Sequence, residues 1–300
     1  MRGAVLARLA AGAAAALLLA SCTSDGGSSA ATSSRTSASP TSAAPTSAGH
    51  DGSYLALGDS VPFGFRGGLS TEYKDASNFV GYPEMLGKDL GLDVINATCP
   101  GETTASFLDV TAPSNGCENM PGSDSGYRDN FPLHVAYDSP DQPQLEFAIE
   151  TLRRTDDVRL ITVQIGANDA FVCQATTADH CQAAAEVQGL GQTIQTNLGK
   201  ILSTLRGDGK YDGKIVVVNY YALDYNSPSA TATSLLNGVI AGVATANKAT
   251  VADAFAAFKP LAASSGGNAV TAGLVLPNDV HPSEDGQEVL ADTVKAVVSD

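Results

Sequence analysis

Apolar residues gather in short, near-continuous runs at Tyr54–Leu57, Leu92–Ala97, Val158–Ile165 and Lys214–Tyr220, with a weaker run at Thr250–Asp253. Runs of this length with little alternation suit strands covered on both faces, as in a parallel sheet. Between them the pattern shifts to helical spacing over Phe79–Leu90, Gln144–Arg154, Ala184–Leu205, Ser234–Asn247 and Ser283–Val298. In the last of these, Ser283 reads as an N-cap, followed by Gln287, Leu290 and Val294 on one stripe. Strand–helix alternation predicts an α/β domain with helices on both faces of a parallel sheet. Thr111–Pro143 is rich in Gly, Pro, Asp, Asn and Ser and reads as a long loop carrying Tyr127, Phe131, His134 and Tyr137. It is either a wall or lid over a site or a plain surface excursion.

The first 50 residues follow a different pattern. Arg2 and Arg8 precede an apolar stretch, Leu9–Ala20, too short to cross a ~30 Å hydrocarbon core at about 1.5 Å per residue. Residues 1–21 are therefore expected to be a secretion signal. Leu19-Ala20-Ser21-Cys22 resembles the bacterial lipobox, which predicts lipidation of Cys22 and anchoring to a cell membrane, although a signal peptide cleaved nearby fits too. Residues 22–50 are mostly Ser, Thr, Ala, Gly and Pro and cannot bury enough surface to offset the entropy of ordering. Such a tether, about 28 residues long, reaches roughly 30 Å. Residues 51–300 suit one domain with a sizeable core.

A formal net charge of −15, with 32 acidic side chains spread along the chain, argues against nucleic acid or an anionic membrane surface as working partner. Of five cysteines, Cys22 is assigned to lipid. Cys99, Cys117, Cys173 and Cys181 are an even set in an exported protein, and three pairings are open. Cys99–Cys117 and Cys173–Cys181 are preferred as sequence neighbours that would staple two loops, at roughly 2–3 kcal/mol each. A metal site of Cys173, His180 and Cys181 matches no familiar zinc spacing.

Chemistry collects where apolar runs end. Gly58-Asp59-Ser60 follows Tyr54–Leu57, and Thr98-Cys99-Pro100-Gly101-Glu102-Thr103-Thr104 follows Leu92–Ala97. Gly166-Ala167-Asn168-Asp169 follows Leu160–Ile165, and Asn278-Asp279-Val280-His281-Pro282 follows Leu274-Val275-Leu276. A serine just past a strand sits where open α/β sheets gather ligands, and acyl transfer needs such a nucleophile, a base and oxyanion donors. Pro62, Gly64, Gly67 and Gly68 predict a loop after Ser60, with Asp59 organising the turn. The chain has no P-loop, no G-x-G-x-x-G, no H-E-x-x-H and no G-x-S-x-G.

The four blocks, in this order, resemble the GDSL or SGNH esterase and lipase family, over nearly the whole stretch from Ser53 onward. The resemblance implies a three-layer α/β/α, flavodoxin-like fold and a serine esterase or lipase that cleaves carboxylic esters through an acyl-enzyme. It implies Ser60 as nucleophile, His281 as base, and an oxyanion hole from the N–H groups of Ser60 and Gly101 with the Asn168 amide. No metal or organic cofactor is implied, and the enzyme is expected to act as an extracytoplasmic monomer. The family commonly carries aspartate three residues before the histidine, where this chain has Asn278. Three groups are then open as orienters of His281: the Asn278 main-chain carbonyl, favoured because it survives side-chain change, the Asn278 amide, and Asp279 third. Acyl transfer to another alcohol shares the same residues. A solute-binding lipoprotein is the rival from outside catalysis, but such binders usually have two similar lobes and this chain shows no duplication.

Overall fold

In the computed structural model, which describes residues 51–68 and 71–299, five parallel strands form one sheet in the order β2-β1-β3-β4-β5. They are β1 (Ser53–Gly58), β2 (Asp93–Asn96), β3 (Val158–Gln164), β4 (Lys214–Val218) and β5 (Thr250–Ala252). All six residues of β1 are buried, as are Leu160–Gln164 of β3, because both strands are covered on both faces. β2 to β5 end one or two residues before the apolar pattern does, since the last apolar residues turn out of the ladder into the loops, whereas β1 extends one residue beyond Tyr54–Leu57 at each end. The edges are blunted by brevity, and β2 begins with the exposed Asp93.

The helices among the described residues are α1 (Ser60–Phe63), α2 (Tyr82–Leu90), α3 (Tyr127–Asn130), α4 (Gln144–Arg154), α5 (Ala167–Thr176), α6 (Ala184–Gly207), α7 (Pro228–Ala246), α8 (Ala254–Ala263) and α9 (Glu284–Val298). α2 and α8 pack against α9 on one face, while α4 and α7 pack against α6 on the other. This is the expected three-layer arrangement. Ser283 caps α9, its hydroxyl accepting from the Gly286 N–H at 3.1 Å.

Some local expectations fail for physical reasons. Ser60 does not open a loop: α1 is one helical turn that holds Pro62 within its first turn, where proline is tolerated, and stops at Gly64 with φ 75°. α2 starts later than expected, at Tyr82, because Gly81 takes extended backbone. α7 starts earlier, at Pro228, whose fixed φ suits a first helical position. α5 and α8 were not anticipated. The first is short, and the second contains Pro260. Leu274-Val275-Leu276 forms no strand and makes only a single antiparallel bridge, Val275 to Pro282.

The four structural cysteines pair as Cys99–Cys117 and Cys173–Cys181. Disulfides persist in oxidising compartments, so the protein is extracytoplasmic. No helix among the described residues is long and apolar enough to cross a membrane. The expected signal, Cys22 and the tether lie outside the described residues.

Candidate active site

Strand order fixes where the site lies. β1 leads to β2 on one side while β3 lies on the other, so a crevice opens beyond the carboxyl ends of β1 and β3. Ser60 follows β1 and Asn168 follows β3. A cleft of about 210 Å³ there is lined by Ser60, Gly101, Asn168 and His281, together with Asn115, Gly116 and the apolar Phe65, Tyr127, Phe171 and Val280.

Ser60 is held through its neighbours. Gly58 has φ 135°, and a Cβ there would lie 2.0 Å from the Gln164 carbonyl oxygen of β3, so only glycine permits the sharp exit from the strand. The Gln144 side chain brackets the same residue, accepting from the Gly58 N–H at 2.5 Å and donating to its carbonyl at 3.0 Å. Asp59 caps α1 by accepting from the Val61 N–H at 2.9 Å, and its other oxygen accepts from the Tyr220 hydroxyl at 2.5 Å. Burial pushes the Asp59 carboxyl up to about 6, against the opposing pull of Tyr220 and Val61. As the first residue of α1, Ser60 presents a main-chain N–H that has no partner within the helix.

His281 completes a chain of three groups. Its Nε2 lies 2.9 Å from Ser60 Oγ, and its Nδ1 lies 2.5 Å from Asp279 Oδ1. Asp279 in turn accepts from the Val280 N–H at 2.7 Å and, through Oδ2, from the Gly67 N–H at 3.2 Å. Burial disfavours the Asp279 carboxylate, but the hydrogen bond and charge of His281 and the two N–H donors outweigh it and hold the carboxyl well below the usual range. The favoured Asn278 carbonyl is therefore not the orienter, nor is the Asn278 amide. Asn278 takes φ 58° in a turn closed by Asp279 N–H to the Leu276 carbonyl, and this rotation brings the next side chain, Asp279, back under the imidazole. Phe65 meets the His281 ring edge-on at 5.0 Å.

Two side chains lock the loops together. Asp169, next to Asn168, accepts from both the N–H and the hydroxyl of Thr104, at 2.9 and 2.5 Å, tying the third block to the second. Gln287 of α9 accepts from the Tyr82 N–H and donates to the Val61 carbonyl, both at 2.9 Å, so the helix after His281 grips the helix of Ser60. Glu102, Cys99 and Cys117 lie close enough to suggest a metal cluster, but the two sulfurs are bonded to each other. The buried Glu102 carboxyl instead accepts from Gln144 Nε2 at 3.0 Å, and Gln144, which also holds Gly58, links the second block to the first.

The profile of the GDSL-like Lipase/Acylhydrolase family matches residues 56–289, spanning all four blocks. The chain belongs to that family. It is accordingly a carboxylic ester hydrolase. Among solved structures, the esterase is similar in fold to the acetylxylan esterase Axe2 of Geobacillus stearothermophilus, with TM-score 0.51, 15% identity, and 84% of this chain and 97% of that chain covered. A protein described as a GDSL-like lipase from Parabacteroides merdae is similar at TM-score 0.53 and 13% identity, with 83% and 96% covered. No curated protein matches the chain.

Sequence reasoning missed Gln144, Gln287, Tyr220 and Asn115 as parts of the site. Each acts across more than 50 positions or from a loop without a motif, so no local signal marks them. Of the long loop, Asn115, Gly116 and Tyr127 form one wall of the cleft. His134 is not among the residues lining the cleft, and its Nε2 lies 3.0 Å from the Phe63 carbonyl oxygen.

Proposed function

We propose that the enzyme is a serine esterase in which Ser60 is the nucleophile, His281 the general base and Asp279 the third member of the triad. The observation that carries this reading is the unbroken path from Ser60 Oγ through both His281 nitrogens to the Asp279 carboxylate. Ser60 Oγ attacks the ester carbonyl carbon while His281 Nε2 takes the hydroxyl proton. Asp279 holds the imidazole with Nδ1 protonated and stabilises the imidazolium. The carbonyl oxygen becomes an anion held by the N–H groups of Ser60 and Gly101 and the Asn168 amide. Collapse releases the alcohol with the proton from His281, and water, activated by the same imidazole, frees the acid. The apolar cleft walls, with Phe171 and Val280 each more than a third exposed, suit the hydrocarbon part of an acyl ester.

The Leu19-Ala20-Ser21-Cys22 string and the Ser/Thr-rich stretch after it support export with a lipid anchor on Cys22. A Cys22→Ala protein that still enters the detergent phase would remove the anchor from this reading. One chain supplies every catalytic group, which supports a monomeric enzyme. The activity test is hydrolysis of nitrophenyl esters of increasing acyl length by the wild type and Ser60→Ala. Release that depends on Ser60 is expected, and equal release by both proteins would overturn the mechanism.

A further inference from the structure

Asn115 touches both oxyanion donors that lie outside the nucleophile helix. Its main-chain N–H donates to the Gly101 carbonyl oxygen at 2.8 Å, and its side-chain Nδ2 donates to Asn168 Oδ1, also at 2.8 Å. It stands two residues before Cys117, inside the loop closed by Cys99–Cys117. The approach to Gly101 is close enough that a Cβ on Gly101, whose φ is 87°, would lie 2.6 Å from the Asn115 carbonyl oxygen.

The Asn168 contact matters because the two ends of an amide are nearly the same size. The terminal torsion of asparagine is broad and roughly two-fold, so shape alone barely distinguishes N–H toward the cleft from oxygen toward the cleft. Only the first can bind an oxyanion; the second would repel it. Asn168 is 5% exposed, so bulk water cannot select its orientation. A donor on Oδ1 can, since rotating the amide would then set two N–H groups against each other.

We propose that Asn115 is a positioning residue that sets the polarity of the Asn168 amide. This rests on the serine-esterase reading above. The residue contacts no reacting atom in this role; it acts through Asn168.

The test is a double-mutant cycle on nitrophenyl ester hydrolysis, with Ser60→Ala as reference. Asn115→Asp replaces the donor by an acceptor, which draws Asn168 Nδ2 away from the cleft. It is expected to lower kcat ~10²-fold, close to Asn168→Ala, with KM within about twofold. Asn115→Leu removes the donor without adding charge and is expected to cost about tenfold. In the Asn168→Ala background either change should cost less than about threefold, because the group it steers is gone. Direct repulsion between a new carboxylate and the oxyanion would instead cost the same in both backgrounds. Full multiplication of the losses, or unchanged kcat in both Asn115 variants, overturns the inference while a dead Ser60→Ala leaves the esterase reading standing. An inert wild type, or an active Ser60→Ala, overturns that reading and this inference with it. The Gly101 contact is main chain and survives each replacement. If Asn115→Asp does not fold, Asn115→Leu completes the same cycle, with the same outcomes supporting or overturning the inference.

Discussion

Ser60 and His281 reach one cleft by opposite constructions. Ser60 rides on β1, a strand buried along its whole length, and is braced by Gly58 against β3, by Gln144 and by the Asp59–Tyr220 bond. His281 hangs on a coil in which Pro277, Asn278 and Val280 are exposed. Its order comes from a few polar contacts: Asp279 to the N–H groups of Gly67 and Val280, and the Tyr221 hydroxyl to the Val280 carbonyl at 2.5 Å. A buried strand with buried hydrogen bonds places Ser60, whereas hydrogen bonds along an exposed coil place His281. Damage on the serine side should therefore appear as lost chemistry or lost stability, and damage on the histidine side as lost orientation in a protein that still folds.

The largest effect tests the pair itself. Ser60→Ala and His281→Ala are each expected to lower kcat/KM by at least ~10⁴, with the double variant little worse than either single one. Multiplying losses in steady-state kinetics would mean that the two residues do not act as one unit.

Next comes the orienting group on the coil. In serine proteases, exchange of the triad aspartate for asparagine costs ~10⁴ in kcat, and Asp279→Asn is expected to cost ~10³–10⁴ here, without a comparable fall in Tm. Asn278→Ala should stay within several-fold of wild type. If the two variants exchanged places in kcat, the imidazole would be held from Asn278 and the contrast between the two sides would lose its histidine half.

Two aspartates report the contrast through pH. Burial raises Asp59 to about 6, so the folded state binds its proton more tightly than the unfolded chain. Its contribution to stability is fully present below the ordinary carboxylate value and is lost as pH rises through about 6, an amount of about 3 kcal/mol. Asp279 is shifted the other way, so its contribution is present above the ordinary value and lost as pH falls below it. In urea titrations, the stability of wild type over Asp59→Asn should shrink between pH 4 and 7, and that over Asp279→Asn should shrink below pH 4. A gap for Asp59→Asn that widens with pH would contradict the buried, raised carboxyl.

The smallest effect sharpens the histidine side. Tyr221→Phe removes the hydroxyl bond to Val280 and should cost about 0.5–1.5 kcal/mol of stability, with kcat falling several-fold as the coil loosens. Unchanged kcat would show that Asp279 alone suffices to hold the loop.

Much of this arrangement was legible along the chain. Apolar runs marked all five strands, most clearly the central β1, β3 and β4, because a strand buried on both faces is mostly apolar at successive positions, whatever packs on it. The glycine at Gly58, the order of the four blocks and the short separations of Cys99 from Cys117 and Cys173 from Cys181 are local facts, so they survive translation into sequence. What orients His281 did not. The sequence showed an apolar run before it and favoured the Asn278 carbonyl, but a single φ of 58° at Asn278 turns the coil and puts Asp279 beneath the ring. That angle depends on contacts with Gly67 and Leu276, the first of them more than 200 positions away. The bonds of Gln144 to Gly58, Gln287 to Val61 and Asn115 to Asn168 likewise join segments remote in sequence. A side-chain amide carries no periodic signal that names its partner. Hydrophobic patterning, which is local and repetitive, thus determined the sheet and the place of the site, and only the tertiary structure, which brings distant polar groups within about 3 Å, decided how the residues of that site are aimed.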